Sequence, residues 1–123
     1  MTEAEVARLR AALHPLDAPP RGDGWNLAEL DGLVEAAAFR DAAVLVGLVP
    51  RDDGLRVLLT RRNDALRNHG GQVSFPGGRV DPGDADAIDA ALRETTEEVG
   101  IPRELVVPIG YLDPVATITG FRV

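Results

Sequence analysis

Apolar positions recur along the chain with two different periods, and the changes of period predict its elements. From Glu3 to Leu13, Val6, Leu9 and Leu13 fall at helical spacing with polar residues between them. A first helix is expected there, with Thr2 as its N-cap. "HPLDAPPRGDG" breaks the period with prolines and glycines and predicts a connection. The helical period returns from Leu27 to about Ala38, with Leu30, Leu33 and Val34 on one side and Asn26 in capping position. "DAAVLVGLVP" is then a continuous apolar run closed by Pro50, which predicts a buried strand. "LRVLLTRR" predicts the next strand, and the intervening turn at Asp52, Asp53 and Gly54 predicts a hairpin.

Beyond the hairpin the chain turns polar. Asn63 to Gln72 predicts a loop, "VSF" a short extended piece, and Pro76 disfavours helix at Phe75. Gly77 and Gly78 offer unusual torsional freedom. A long helix follows: Asp84 is expected as its N-cap, Asp86 sits in the first turn, Gly100 lies past the end and Pro102 beyond it. The closing segment, "VVPIGYLDPVATITGFRV", alternates strand-like and turn-like pieces. Residues 1–123 are expected to form one domain, of which 1–40 are an N-terminal helical extension.

The long helix sorts its residues sharply. At 100° per residue with Glu94 at zero, Glu98 lies at about 40° and Glu97 at about 300°. Ala87 and Ala90 share that face, while Ile88, Leu92, Thr95 and Val99 form a separate stripe at about 100–160°, suited to a core. The acidic face carries a cost. Like charges at this spacing each cost about 0.2–0.5 kcal/mol, and the negative end of the helix dipole adds to it. A solvated face and a bound divalent cation both account for such a cluster; hard ions such as Mg²⁺ take carboxylate oxygens. An EF-hand is excluded, because "DADAIDAALRE" lacks its glycine and ligand spacing.

Charge adds a further constraint. The net charge is −7, which disfavours a nucleic-acid surface. The distribution is uneven: Arg51 to Val80 holds six arginines against three aspartates, and Asp81 to Glu104 holds eight acids against two arginines. A basic stretch before an acidic one suits an anionic ligand with a divalent metal. There is no cysteine, hence no disulfide and no thiolate metal site. No apolar run approaches the ~20 residues that span a bilayer, so a cytoplasmic protein without membrane partners is expected.

"RETTEEVGI", with Gly78 upstream, resembles the Nudix box, the signature of hydrolases acting on nucleoside diphosphates linked to another moiety. Arg93, Glu94, Glu97, Glu98, Gly100 and Ile101 fit the pattern, and the box covers 78–101. "LLTRRNDALRNHGGQVSFPGG", Leu58 to Gly78, is similar to the extra motif of the coenzyme A pyrophosphatase branch of that superfamily. Two departures stand out. The generic box places glycine at 79 and glutamate at 85, where this chain has Arg79 and Ala85. The glycine is Gly78, one residue early, and the acid is Asp84 or Asp86. The aliphatic position after Glu94 is Thr95.

The resemblance implies an α+β Nudix fold, an α/β/α sandwich around a mixed sheet. It also implies further strands and a closing helix after "TITGFRV", so a domain truncated at its C-terminus is expected. It implies Mg²⁺- or Mn²⁺-dependent attack of water on a pyrophosphate. Coenzyme A would yield 4′-phosphopantetheine and adenosine 3′,5′-bisphosphate. Glu94 and Glu98 are the first choices as metal ligands, with Glu97 next, and Arg93 is expected to orient Glu97 or a loop acid. Arg61, Arg62 and Arg67 are candidate phosphate contacts, and His69 a polar contact or acid–base group. Gly71, Gln72, Phe75, Pro76, Gly77 and Gly78 complete the substrate side, with Phe75 itself expected in the core and the two glycines letting backbone approach the helix. The general base is not assigned. The partners implied are a small nucleotide substrate and a second copy of the chain, since a short sheet exposes an edge for a homodimer.

Overall fold

The computed structural model describes residues 1–33, 38–61 and 71–123. They comprise two α-helices, α1 (Glu3–Ala12) and α2 (Ala87–Val99), and 3-10 turns at Leu27–Leu30 and Arg103–Leu105. The strands are β1 (Arg40–Val44), β2 (Leu48–Arg51), β3 (Gly54–Val57), β4 (Thr60–Arg61), β5 (Val73–Ser74), β6 (Gly77–Arg79) and β7 (Phe121–Arg122). This is a mixed α+β composition with both parallel and antiparallel pairing. Among the described residues no helix is long and apolar enough to cross a membrane. The chain divides into two compact units, one of residues 1–42 with 106–123 and one of residues 43–105.

In the first unit, α1 starts where the capping signal puts it. Glu5 N–H donates to Thr2 Oγ1 (3.1 Å) and Thr2 N–H to Glu5 Oε2 (2.9 Å), a reciprocal capping box. Val6, Leu9 and Leu13 are half-buried along its inner face. The second helix is a correction. Only one 3-10 turn forms at Leu27–Leu30, and the expectation for 34–37 lies outside the described residues. Asn26 does not cap it. Its amide instead donates to Ala116 O (2.9 Å) and accepts from Ala116 N–H (2.7 Å), so a tertiary peptide group outbids the local one. The last residues turn back at Thr117–Gly120, and β7 pairs in parallel with β1 through Arg40↔Phe121 and Asp41↔Arg122.

In the second unit, the long apolar run is two strands rather than one. β1 ends at Val44, and the chain changes partners: Leu45 N–H donates to Pro76 O, while Gly47 O accepts from Leu58 N–H (both 2.8 Å). Of Asp41 to Pro50 only Ala43 is buried. β2 and β3 form the expected hairpin, Leu48↔Val57 to Arg51↔Gly54, closed at Asp52 and Asp53. The second strand-like run also splits, and Thr60–Arg61 pairs with Val73–Ser74.

The core of this unit is small and built from methyl groups. Ala43, Ala90 and Ala91 are buried, Val80 packs against them, and Thr95 is fully buried with its hydroxyl donating to Ala91 O at 2.7 Å. This bears out the expected stripe on α2 at Thr95 and corrects the rest of it. Ile88 and Leu92 are only half-buried, and Val99 is 37% exposed. The packed face centres on Ala90, Ala91 and Thr95 and therefore includes Glu94, because α2 lies against β6, whose glycines let it approach closely. The end of α2 follows the sequence: Gly100 takes the left-handed conformation at φ 73° and its N–H donates to Thr96 O (2.9 Å).

Candidate functional site

The site is organised by one arginine. Arg93, on α2, lies next to three polar elements: the Asp81–Asp84 loop, the end of β6 and the acids of its own helix. Its Nε donates to Asp84 Oδ1 (2.8 Å) and its Nη2 to Asp84 Oδ2 (2.9 Å), a two-point fork. Nη2 also donates to Arg79 O (3.2 Å), and Asp81 lies 3.3 Å away. Nη1 donates to Glu94 Oε1 (3.0 Å) and lies 3.4 Å from Glu97 Oε2. One cation thus spans the loop acid and two of the three helix glutamates.

The N-cap assignment is corrected by the same contacts. Asp86 caps α2, accepting from Asp89 N–H at 2.8 Å, while Asp89 accepts in turn from Ala85 N–H at 2.9 Å. Asp84 is thereby released to face Arg93. Its side chain is only 4% exposed, and it also accepts from Asp81 N–H (2.7 Å). Arg93 first, and that backbone donor second, hold the Asp84 carboxyl down from the ordinary 3.8 to about 2. Asp89 is lowered as well, chiefly by the Ala85 N–H and then by Arg103, 2.8 Å away. Asp84 raises the Arg93 pKa in return.

A carboxyl whose folded pKa lies below its unfolded one stabilises the fold above the unfolded value, and the contribution disappears as pH falls. For Asp84 that window runs from about pH 4 down to about pH 2. The melting temperature of the native chain should fall more steeply across this window than that of Asp84→Asn. Parallel acid limbs in the two melting series would show that the fork contributes nothing there.

β6 sets the position of Glu94. Gly77 and Gly78 are not needed for torsion, since neither has positive φ. They are needed for proximity. A Cβ built on Gly78 would sit 2.7 Å from Glu94 Cδ and 2.9–3.0 Å from its oxygens. The Glu94 side chain is 20% exposed, wedged between β6 and Arg93.

The other candidates distribute as follows. Glu97 and Glu98 are exposed on α2, Arg61 is exposed on β4, Gln72 is exposed and Gly71 half-buried with φ 78°. Pro76 is fully buried, whereas Phe75 is 38% exposed, which corrects its placement in the core: the buried position belongs to its neighbour. Arg62, Arg67 and His69 lie outside the described residues. Arg93 and Asp84 are held together by the fold, nine residues apart; no spacing rule marks that pair, and only the loop's return over α2 creates it.

The donor chemistry suits a hard divalent ion: Glu94, Glu97 and Glu98 offer only carboxylate oxygens within one turn and a half of helix. The assembled geometry is another matter. Among the described residues no group of three or more His, Asp or Glu side chains is placed to hold a metal, and Glu94 and Glu97 are engaged by Arg93.

Comparison with known proteins agrees with this architecture. Over 85 residues, 68% of this chain and 43% of theirs, the sequence is 58% identical to an uncharacterized Nudix hydrolase NudL of Enterobacter sp. (strain 638) and 59% identical to that of Klebsiella pneumoniae subsp. pneumoniae. Over 90 residues, 72% of this chain and 46% of theirs, it is 54% identical to the same-named protein of Escherichia coli (strain K12 / DH10B). The chain spans about half the length of these relatives. The NUDIX domain model matches residues 39–122, which include every described strand, the Asp84–Arg93 fork and the acidic helix, and the chain belongs to the Nudix family.

Proposed function

We propose that the chain carries the catalytic helix of a divalent-metal-dependent pyrophosphohydrolase that cleaves the diphosphate of coenzyme A or its derivatives. The observation that carries the activity is the fixed position of Glu94, seated on the bare backbone of Gly78 and held by Arg93. Such placement matters for phosphoryl transfer, where positioning and electrostatics supply most of the rate. Glu94, Glu98 and Glu97 would hold Mg²⁺ or Mn²⁺, which would supply charge neutralisation of the diphosphate and activation of the attacking water. Arg93 acts as a positioning residue: anchored on Asp84 by two hydrogen bonds, it can let go of Glu94 and Glu97 through Nη1 without leaving its seat. The coenzyme A assignment rests on Leu58 to Gly78, "LLTRRNDALRNHGGQVSFPGG".

A binding module without turnover is the second reading. The pairing of Glu94 and Glu97 with Arg93 favours it, together with the lack of a three-acid group among the described residues. One assay separates the two. With Mg²⁺ or Mn²⁺, coenzyme A should yield 4′-phosphopantetheine and adenosine 3′,5′-bisphosphate faster than ADP-ribose or NADH is consumed, with products identified by chromatography. Faster cleavage of ADP-ribose or NADH sinks the coenzyme A assignment. A folded sample that turns over none of the three supports the binding module.

A further inference from the structure

The chain has one tryptophan, and the first unit holds it out to solvent: Trp25 is 66% exposed. The backbone around it is nevertheless fixed on both sides. Gly24 is buried so close to the 115–116 peptide that a Cβ there would lie 2.3 Å from Ala116 N. Asn26 takes both polar groups of Ala116, and Trp25 N–H donates to Pro114 O (3.0 Å). The fixed backbone removes main-chain ordering from the cost of stacking on this indole, leaving its two side-chain torsions to be ordered.

Trp25 lines an open groove of about 510 Å³ with His14, Pro20, Arg21, Asp23 and Asp113. Its other walls are pinned to the same segment. His14 exchanges both backbone hydrogen bonds with Tyr111 (2.9 Å each), and its Nε2 lies 2.5 Å from Asp113 Oδ1. Arg122 donates to Pro20 O (3.1 Å) and to Gly22 O, which holds the loop that carries Arg21 and Asp23. Among the described residues Asp23 forms no ion pair and no side-chain hydrogen bond, so its carboxylate is available to a ligand. The lining carries Asp23 and Asp113 with Arg21 and His14; Asp113 is paired with His14, which leaves Asp23 as the carboxylate open to a ligand, in a chain whose net charge is −7. An exposed indole and an unpaired carboxylate lining one groove are the chemistry that recognises an organic cation.

We propose that this groove binds a substituted ammonium or guanidinium group, stacked on Trp25 and paired with Asp23, either as a free small molecule or as a basic side chain of a peptide. The site is independent of the hydrolase reading. As the single tryptophan, Trp25 reports on the groove directly through its fluorescence.

The test titrates the chain with choline, with Nα-acetyl-arginine amide, and with 3,3-dimethyl-1-butanol as the uncharged isostere of choline. The cations should shift Trp25 emission saturably and the alcohol should not. Tighter binding of choline identifies a free cation as the ligand, and tighter binding of the arginine amide identifies a basic side chain. Asp23→Asn should weaken cation binding by about fivefold, as expected for an exposed ion pair, and Arg21→Ala should strengthen it. Both positions are exposed, so folding is not at issue. No emission change with either cation, an equal response to the alcohol, or weaker binding in Arg21→Ala would overturn the proposal.

Discussion

Gly77→Ala should destabilise the fold by about 3 kcal/mol, the upper end of ordinary overpacking, and lower the melting temperature by roughly 10 °C. The added methyl would lie 2.2 Å from Ala43 O and 2.6 Å from Val44 Cα. Both are backbone atoms of β1, so no rotamer change relieves the contact. Relief requires β6 to move off β1. That movement would stretch the 2.8 Å bond from Leu45 N–H to Pro76 O and disturb Pro76, one of the two largest fully buried side chains. Gly83→Ala is the control: nothing lies within 4 Å of a Cβ there, and its φ is not positive. Thermal and urea unfolding of both variants decide the matter. A Gly77→Ala melting point equal to that of Gly83→Ala would mean that β1 and β6 do not approach as closely as described.

This glycine illustrates which features the sequence makes legible. Features set by neighbouring residues are visible in it. The capping box needs only Thr2 and Glu5, the β2–β3 hairpin only its turn, and the end of α2 only Gly100. The clustering of Glu94, Glu97 and Glu98 on a helix with Arg93 follows from helical spacing alone. Features set by distant partners are not visible. Asn26 has the right chemistry for a cap, but Ala116, ninety residues away, takes its amide. Asp84 and Asp86 are both plausible caps by type, and only the fork from Arg93 decides between them. The acidic face and the packed face are separate by helical projection, yet they overlap at Glu94. Without a Cβ at Gly78, β6 packs directly on a carboxylate that a periodicity argument leaves in solvent. Gly77 and Gly78 are a mixed case: the torsional freedom their type suggests is not used, whereas the close backbone approach that the resemblance implies is what they provide.

Gly78→Ala should have the opposite outcome to Gly77→Ala, with the fold retained and the activity lost. The new methyl would meet Glu94 Cδ at 2.7 Å and its oxygens at 2.9 and 3.0 Å. These atoms end a flexible side chain, so Glu94 can swing away without moving the backbone. It then leaves both β6 and Arg93 Nη1, which now lies 3.0 Å from Oε1. On the hydrolase reading, a displacement of about 1 Å in a group that positions the reacting centre costs about 100-fold in rate. Gly78→Ala is therefore expected to melt close to the native chain while losing about two orders of magnitude in kcat/KM. Mn²⁺ binding followed by calorimetry should weaken in parallel, a readout that a purely structural role for Gly78 would leave unmoved. Glu94→Gln should lose at least as much activity. The double variant Gly78→Ala/Glu94→Gln should lose no more than Glu94→Gln alone, because both changes remove the same interaction. Full activity and unchanged Mn²⁺ affinity in Gly78→Ala would separate Glu94 from the metal set. A double variant that loses the product of the two single losses would give Gly78 a role that does not pass through Glu94.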